Sequence, residues 1–243
     1  MALDVIFALS EELDSYTPCI LVPNDVKQEN NFTRLHFLVR KTIDTSMRKF
    51  NRAQQGKVLE ALRYAAEKHQ NFRRDDKVTP YLLHILEVVC ILIDMQVYDY
   101  KTIVAATLHD VVEDTEATLK DIAKTFGVSI SRMVDLLSKH PNFIRKKFYW
   151  VRMKNEPNLH ILWRVLVIKF GDRIHNMMTL DVVSKERREK KLAETEREFP
   201  ELYKVLVKTF RKLRKKNIFT AKRYLYLPFH LNNRLFYEME KYR

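Results

Sequence analysis

Glycine is scarce in this chain: only Gly56, Gly127 and Gly171 occur in 243 residues, alongside seven prolines. The tight turns that connect short strands depend on these two residue types, so an all-β sandwich or barrel is excluded and an all-helical fold is expected. Cysteine is rarer still. Cys19 and Cys90 cannot form a disulfide framework and lack metal-finger spacing, which predicts a reducing compartment and two buried packing residues. No apolar run approaches the ~20 residues of a membrane span. The N-terminus, MALDVIFALSEELDSY, has acids after a short apolar stretch and no basic leader, unlike a secretory signal. A cytoplasmic protein with no membrane partner is therefore expected.

What is present is the balance of a folded protein, with 46% hydrophobic and 31% charged residues. The length allows one catalytic domain with helical additions. The net charge of +13 favours polyanionic partners through long-range steering. Much of it sits in runs such as Arg211, Lys212, Arg214, Lys215 and Lys216, for which a solvated helix face is the plain reading.

Periodicity organises the chain from residue 57 onward. Val58, Leu59, Leu62, Ala65, Ala66 and His69 recur at steps of three and four over 57–69, predicting an amphipathic helix. Residues 80–96 are apolar on nearly all sides and predict a helix central to the core. Thr102 is expected to cap a helix running through His109 to about Asp114, and Thr118 to cap another that ends at Gly127 in a left-handed C-cap. A helix from Ser129 through Met133 and Leu137, ending near Pro141, follows. The stretch 140–158, with Pro141, Pro157 and a basic-aromatic cluster from Arg145 to Arg152, reads as a loop. Helices are expected over 160–182, 185–198, 201–216 and 230–242, and before residue 57 near 3–14 and 32–50.

The segment from Leu108 to Thr115 carries the chemistry. On a continuous helix His109 and Asp110 can reach one ion, while Glu113 and Asp114 lie one turn on. Burying four ionisable groups beside apolar Ala105, Leu108, Val111 and Val112 is costly unless a metal or counter-ion compensates. Mixed His/Asp ligation suits a manganese-like ion better than a structural zinc. A helix with exposed acids and one core histidine is the competing reading of these eight residues. Two more segments bear on the choice. Thr79-Pro80-Tyr81-Leu82-Leu83-His84 puts a histidine on an apolar helix, where a lone histidine is more often a hydrogen-bonded core residue than a ligand. Lys169 to Asn176 puts Asp172 inside an apolar-periodic helix, with Asn176 one turn later on the same face. His84, His109, Asp110 and Asp172 together make a two-histidine, two-carboxylate site.

With Pro-Tyr-x-x-His before it and Lys-x-x-Asp-Arg-x-His-Asn after it, His-Asp-x-x-Glu-Asp-Thr resembles the hydrolase domain of the RelA/SpoT alarmone family, within the HD superfamily. The likeness extends over about residues 57–198, including Arg63 to His69, Ala105 to Thr115, Phe126-Gly127 and Val167 to Leu180. It implies an all-α HD-domain helical bundle and a Mn²⁺-dependent (p)ppGpp 3′-pyrophosphohydrolase with one Mn²⁺ held by His84, His109, Asp110 and Asp172. Glu113 and Asp114 match the catalytic acids that handle the water and its protons. Arg73 and Arg74 match the basic pair beside the nucleobase. Asn176 and Thr179 match the ribose and phosphate side of the pocket, and Lys139, Lys191 and Thr195 match further phosphate contacts.

The sequence departs from that family in having Val78-Thr79 before Pro80, Ile85 after His84 and Gly171 before Asp172, none of which removes a ligand or an acid. The residues after about 198 are too few for a synthetase domain, so the chain resembles a stand-alone small alarmone hydrolase. The expected organisation is a helical extension over 1–56, the hydrolase over 57–198 and a basic helical extension over 199–243 packed on it. The rival readings are an HD phosphohydrolase for an adenine alarmone or the 2′-phosphate of NADPH, and an HD protein that binds nucleic acid. The main partner expected is a nucleotide; a homo-oligomer is left open, and nucleic acid on the basic surface is at most an added role.

Overall fold

The computed structural model describes residues 26–139, 146–216 and 224–243. The expected helix near 3–14, with Pro18, Cys19, Pro23, Pro141 and Arg145, lies outside the described residues. The all-α fold is confirmed: among the described residues there is no named strand, and the isolated bridge between Arg73 and Pro80 closes a loop. The helices are α1 (Val26–Lys49), α2 (Arg52–Lys68), α3 (Tyr81–Asp94), α4 (Tyr100–Thr107), the single turn α5 (Val111–Asp114), α6 (Leu119–Phe126), α7 (Val128–Leu137), α8 (Lys146–Lys154), α9 (Leu159–Met178), α10 (Lys185–Lys215) and α11 (Leu227–Glu240). A 3-10 turn at Leu180–Val182 joins α9 to α10.

Two helices buried on nearly all sides form the centre. One is α3, which buries Leu82, Leu83, Ile85, Leu86, Val88, Val89, Leu92 and Ile93 together with His84. The other is α9, packed against α3, α4, α7, α8, α10 and α11. Gly171 sets how closely α3 and α9 approach: a Cβ there would stand 3.0 Å from Leu92 Cδ2. The same crossing brings Asp172 and His175 of α9 alongside His84 and Glu87 of α3. Helix α1, rooted by Leu35, Leu38, Val39 and Ile43, covers the other side of α3.

Several local expectations are corrected. Asp99, not Thr102, caps α4, its side chain accepting from the Thr102 amide at 2.9 Å. The helix expected to run through His109 stops at Thr107, and the chain turns through Leu108, His109 and Asp110 before α5. The stretch expected as a loop contains α8, because Met153 is buried, Trp150 packs edge-on to Phe199 and Arg152 pairs with Asp135 at 2.6 Å. The helices expected over 185–198 and 201–216 are one, with Pro200 inside α10. An interior proline costs about 3 kcal/mol, offset here by the burial of Phe199, Leu202, Leu206, Phe210 and Leu213. Residue 198, the expected end of the hydrolase, lies inside that helix. No helix among the described residues is long and apolar enough to cross a membrane.

Thr118 does cap α6, through a reciprocal pair of hydrogen bonds with Asp121. Gly127 then joins α6 to α7 at φ 92° and ψ 157°. Its φ is positive as expected, but its ψ is extended rather than that of a left-handed helical cap. This region is open essentially only to glycine and costs other residues about 1–3 kcal/mol. Gly127→Ala is accordingly expected to lower the thermal midpoint by several degrees although nothing crowds an added methyl; an unchanged melting curve contradicts the assigned backbone.

Candidate metal centre and active site

The turn at residues 108–110 places two adjacent side chains on one point. His109 donates from Nδ1 to the Ala106 carbonyl at 2.7 Å, since a carbonyl can only accept. Its lone pair is therefore left on Nε2, a buried atom that makes no hydrogen bond and lies 3.1 Å from Asp110 Oδ2. From α3, His84 Nε2 approaches Asp110 Oδ2 to 3.5 Å and Asp172 Oδ1 to 3.6 Å. Ligand atoms of His84, His109 and Asp172 all lie within 4.8 Å of one another. The structure thus brings together all four residues expected as ligands, from α3, α9 and the turn after α4.

A cation fits this arrangement. The orphaned Nε2 of His109, aimed at carboxylate oxygens, needs a positive centre between them. Without one, a proton serves: burial lowers the affinity of His109 for it, but the Asp110 carboxylate prevails and raises the pKa to about 9. Burial instead takes His84 down to about 3, so that imidazole stays neutral and able to ligate. Burial also opposes charge on Asp110 and Asp172, yet both are held well below the usual carboxylate range, Asp110 by His109 and Asp172 by Lys169.

The carboxylates are oriented from behind. Tyr81 donates to Asp110 Oδ2 at 2.7 Å, Lys169 to Asp172 Oδ2 at 2.6 Å and Asn176 to Asp172 Oδ1 at 2.6 Å. Tyr81 itself stacks on buried His69, with ring centroids 5.1 Å apart. Asn176 thus orients Asp172 as well as facing the pocket. Tyr81 and Lys169 stood in the sequence motifs without a role. Their signal was spacing: Lys169 falls one helical turn before Asp172.

The centre opens into a cavity of about 440 Å³ whose wall includes Glu113, Asp114, Arg74, Lys139, Asn176 and Lys191. Of the residues proposed to contact substrate, Arg73, Thr179 and Thr195 are not in that wall. Arg73 bonds the Gln70 and Phe72 carbonyls of its own loop, Thr179 hydroxyl caps α9 through the His175 carbonyl, and buried Thr195 donates to the Lys191 carbonyl. Sequence reading missed Trp150, Arg173 and Arg187, which line the cavity. Trp150 stood in the basic-aromatic cluster, but only the packing of α8 brings it here; Arg187 arrives because α10 folds back across the mouth. Lys191 is partly buried among Arg74, Arg187 and Arg173, and burial with those guanidiniums lowers its pKa. The wall also carries Asp75, Glu194 and Glu198, with Asp75 paired to Arg187 at 3.1 Å, so it is of mixed charge, and its arginines and lysines are the groups that can meet an anion.

The acid pair differs in its surroundings. Glu113 accepts from the Lys139 amide at 2.9 Å and its ammonium at 3.2 Å. Asp114 is half-buried, and burial together with the charge of Asp110 raises its pKa to about 6.

The helical fold, with histidine and aspartate ligand atoms converging on one point, defines an HD-domain protein, and the HD domain family model matches residues 61–150. Within that match the chain is similar to RelA/SpoT-type HD hydrolases. It is 40% identical over 131 residues to the GTP pyrophosphokinase rsh of Brucella melitensis biotype 1, covering 51% of this chain and 17% of the relative. It is 37% identical over 120 residues to the bifunctional (p)ppGpp synthase/hydrolase SpoT of Escherichia coli K12, covering 48% of this chain and 17% of that protein. The match therefore spans about a sixth of these relatives' length. A solved structure described as a metazoan ortholog of SpoT that hydrolyzes ppGpp superposes with a TM-score of 0.53 at 29% identity, covering 67% of this chain and 97% of that one.

The pKa of Asp114 has a measurable consequence for the metal-free protein. The folded value, about 6, lies above the ordinary 3.8, so folding favours the protonated form. The resulting destabilisation is absent below 3.8, grows between the two values and is complete above about 6. Thermal midpoints of metal-stripped wild type and Asp114→Asn should therefore diverge in favour of the variant as pH rises through that window. A constant difference contradicts the assigned burial and charge.

Proposed function

We infer that the protein is a Mn²⁺-dependent guanosine-3′,5′-bis(diphosphate) 3′-pyrophosphohydrolase, with a nucleotide as its main partner. The observation that carries this reading is the opening of the His84, His109, Asp110 and Asp172 cluster, beside Glu113 and Asp114, into a cavity walled by Arg74, Lys139, Arg173, Arg187 and Lys191. A bare hydrolytic centre needs the first part; a substrate with two separate diphosphates makes use of the second. The likeness to (p)ppGpp hydrolases supports the substrate class. On this reading the catalytic unit is residues 57–198.

When bound, Mn²⁺ supplies Lewis acidity toward phosphoryl oxygens and a more acidic water. His84, His109, Asp110 and Asp172 hold it, while Tyr81, Lys169 and Asn176 keep the carboxylates turned toward it. Asp114, titrating near neutrality, takes the proton of the water that attacks the phosphorus joined to the ribose 3′ oxygen. The bond between that phosphorus and the 3′ oxygen breaks. The Glu113–Lys139 pair returns a proton to the ribose oxygen, so that ppGpp and water give GDP and pyrophosphate. Arg74, Lys139, Lys191, Arg173 and Arg187 offset the substrate's negative charge, and Arg74 can also lie flat on the purine.

Metal-stripped protein resupplied with Mn²⁺ and incubated separately with ppGpp, its adenine counterpart and NADPH should release pyrophosphate with GDP from the first. Metal binding without turnover of ppGpp contradicts the reading, and phosphate release from NADPH alone replaces it with a 2′-phosphatase. Glu113→Ala and Asp114→Ala are expected to keep Mn²⁺ and lose roughly 10²–10⁴-fold in kcat, whereas Asp172→Ala loses both metal and turnover. Loss of Mn²⁺ from Glu113→Ala places that residue in the ligand set.

A further inference from the structure

A histidine can ligate through Nε2 only if its proton sits on Nδ1, and the two imidazoles of this centre meet that condition by different means. For His109 the main-chain carbonyl of Ala106 decides it. His84 has a side chain in that position instead. Its Nδ1 lies 2.7 Å from Nδ1 of His175 on α9, both rings being buried. Nε2 of His175 is hydrogen-bonded to Glu87 Oε2, and the other oxygen of Glu87 is ion-paired with Arg34 on α1.

Each link in this row is directional. A carboxylate paired with a guanidinium only accepts, so His175 carries its hydrogen on Nε2. An ion on Nε2 of His84 requires that ring's proton on Nδ1, and Nδ1 of His175, 2.7 Å away on a ring whose hydrogen on Nε2 is given to Glu87, is the atom placed to accept it. His84 must donate from Nδ1, and its lone pair falls on Nε2, the atom that faces Asp110 and Asp172.

We propose that His175, Glu87 and Arg34 are positioning residues that fix the tautomer of His84, making the N-terminal helix α1 a working part of the metal centre. This rests on the four-residue metal site proposed above. Glu87 is the decisive member, because without an acceptor the buried Nε2 of His175 loses its only recorded partner and either tautomer of the His84–His175 pair becomes accessible. Arg34 matters less, since its side chain is 59% exposed and its charge is screened by water. Partners behind a ligating histidine typically contribute about 10–100-fold in metal affinity.

The test uses the full-length chain, stripped of metal and titrated with Mn²⁺ while free ion is followed by electron paramagnetic resonance, with ¹⁵N imidazole spectra of the metal-free protein reporting tautomers. Wild type should show His84 protonated on Nδ1. Glu87→Ala and His175→Ala should weaken Mn²⁺ binding by about 10–100-fold and mix the His84 tautomers. Glu87→Gln, which keeps a carbonyl acceptor, should restore both readouts, a rescue that a merely structural role does not predict. Wild-type His84 protonated on Nε2 overturns the proposal without recourse to any variant. His84→Ala and Asp172→Ala separate the two claims: if both bind Mn²⁺ like wild type, the metal site itself is wrong. If both lose it while Glu87→Ala binds normally with His84 unchanged, only the positioning role falls.

Discussion

Asp110 and Asp172 are carboxylates withdrawn from water, and the surrounding structure is arranged to keep them charged. Burial alone would neutralise them. They remain ionised because His109 stands 3.1 Å from one and Lys169 2.6 Å from the other, with Tyr81 and Asn176 donating into the same oxygens. Those donors arrive from different helices, so the site is assembled by packing. The close crossing of α3 and α9 at Gly171 is what brings His84 to Asp172. The core and the metal centre are in that sense one construction: what buries Leu92 against Gly171 also aligns the ligands.

The interruption between α4 and α5 belongs to the same constraint. The continuous helix expected from the spacing would set His109 and Asp110 ~100° apart about its axis, within reach of one ion but not turned toward one point. Ending the helix at Thr107 and turning through Leu108 allows both to face one point, with the Ala106 carbonyl, released from the helical ladder, bonding His109 instead. The next turn then presents Glu113 and Asp114 in the cavity wall beside that cluster. Opposite them, α8 and α10 supply Trp150, Arg187 and Lys191.

Much of this was legible in the sequence because it is periodic or local. The apolar faces of α2, α3 and α9, the Thr118 cap and the ligand residues all carry their signal within a few positions of themselves. The break at Leu108 did not, because Val104, Leu108 and Val111 keep helical spacing through it; the hydrogen bond that ends the regular ladder comes from a side chain. Helix α8 was hidden by its basic-aromatic composition, and its stability comes from Asp135 and Phe199, distant in sequence. Pro200 suggested a boundary that tertiary burial overrode. Arg73 read as well as Arg74, but the loop closed by the Arg73–Pro80 bridge turns one inward and ties the other to its own carbonyls. Arg173 stood in the motif after Asp172 without a role and Arg187 had no sequence signal, and only the folding of α10 against α9 makes them neighbours.

The central claim is that two imidazole nitrogens and two carboxylates converge to hold a single divalent ion at the floor of a cavity whose wall carries arginines and lysines. Anomalous diffraction from crystals of the protein soaked in Mn²⁺ tests it most directly. The account predicts one strong peak per chain, within bonding distance of His84 Nε2, His109 Nε2, Asp110 and Asp172. A peak held by Glu113 and Asp114 instead, or none at this cluster while Mn²⁺ binds elsewhere on the chain, contradicts it.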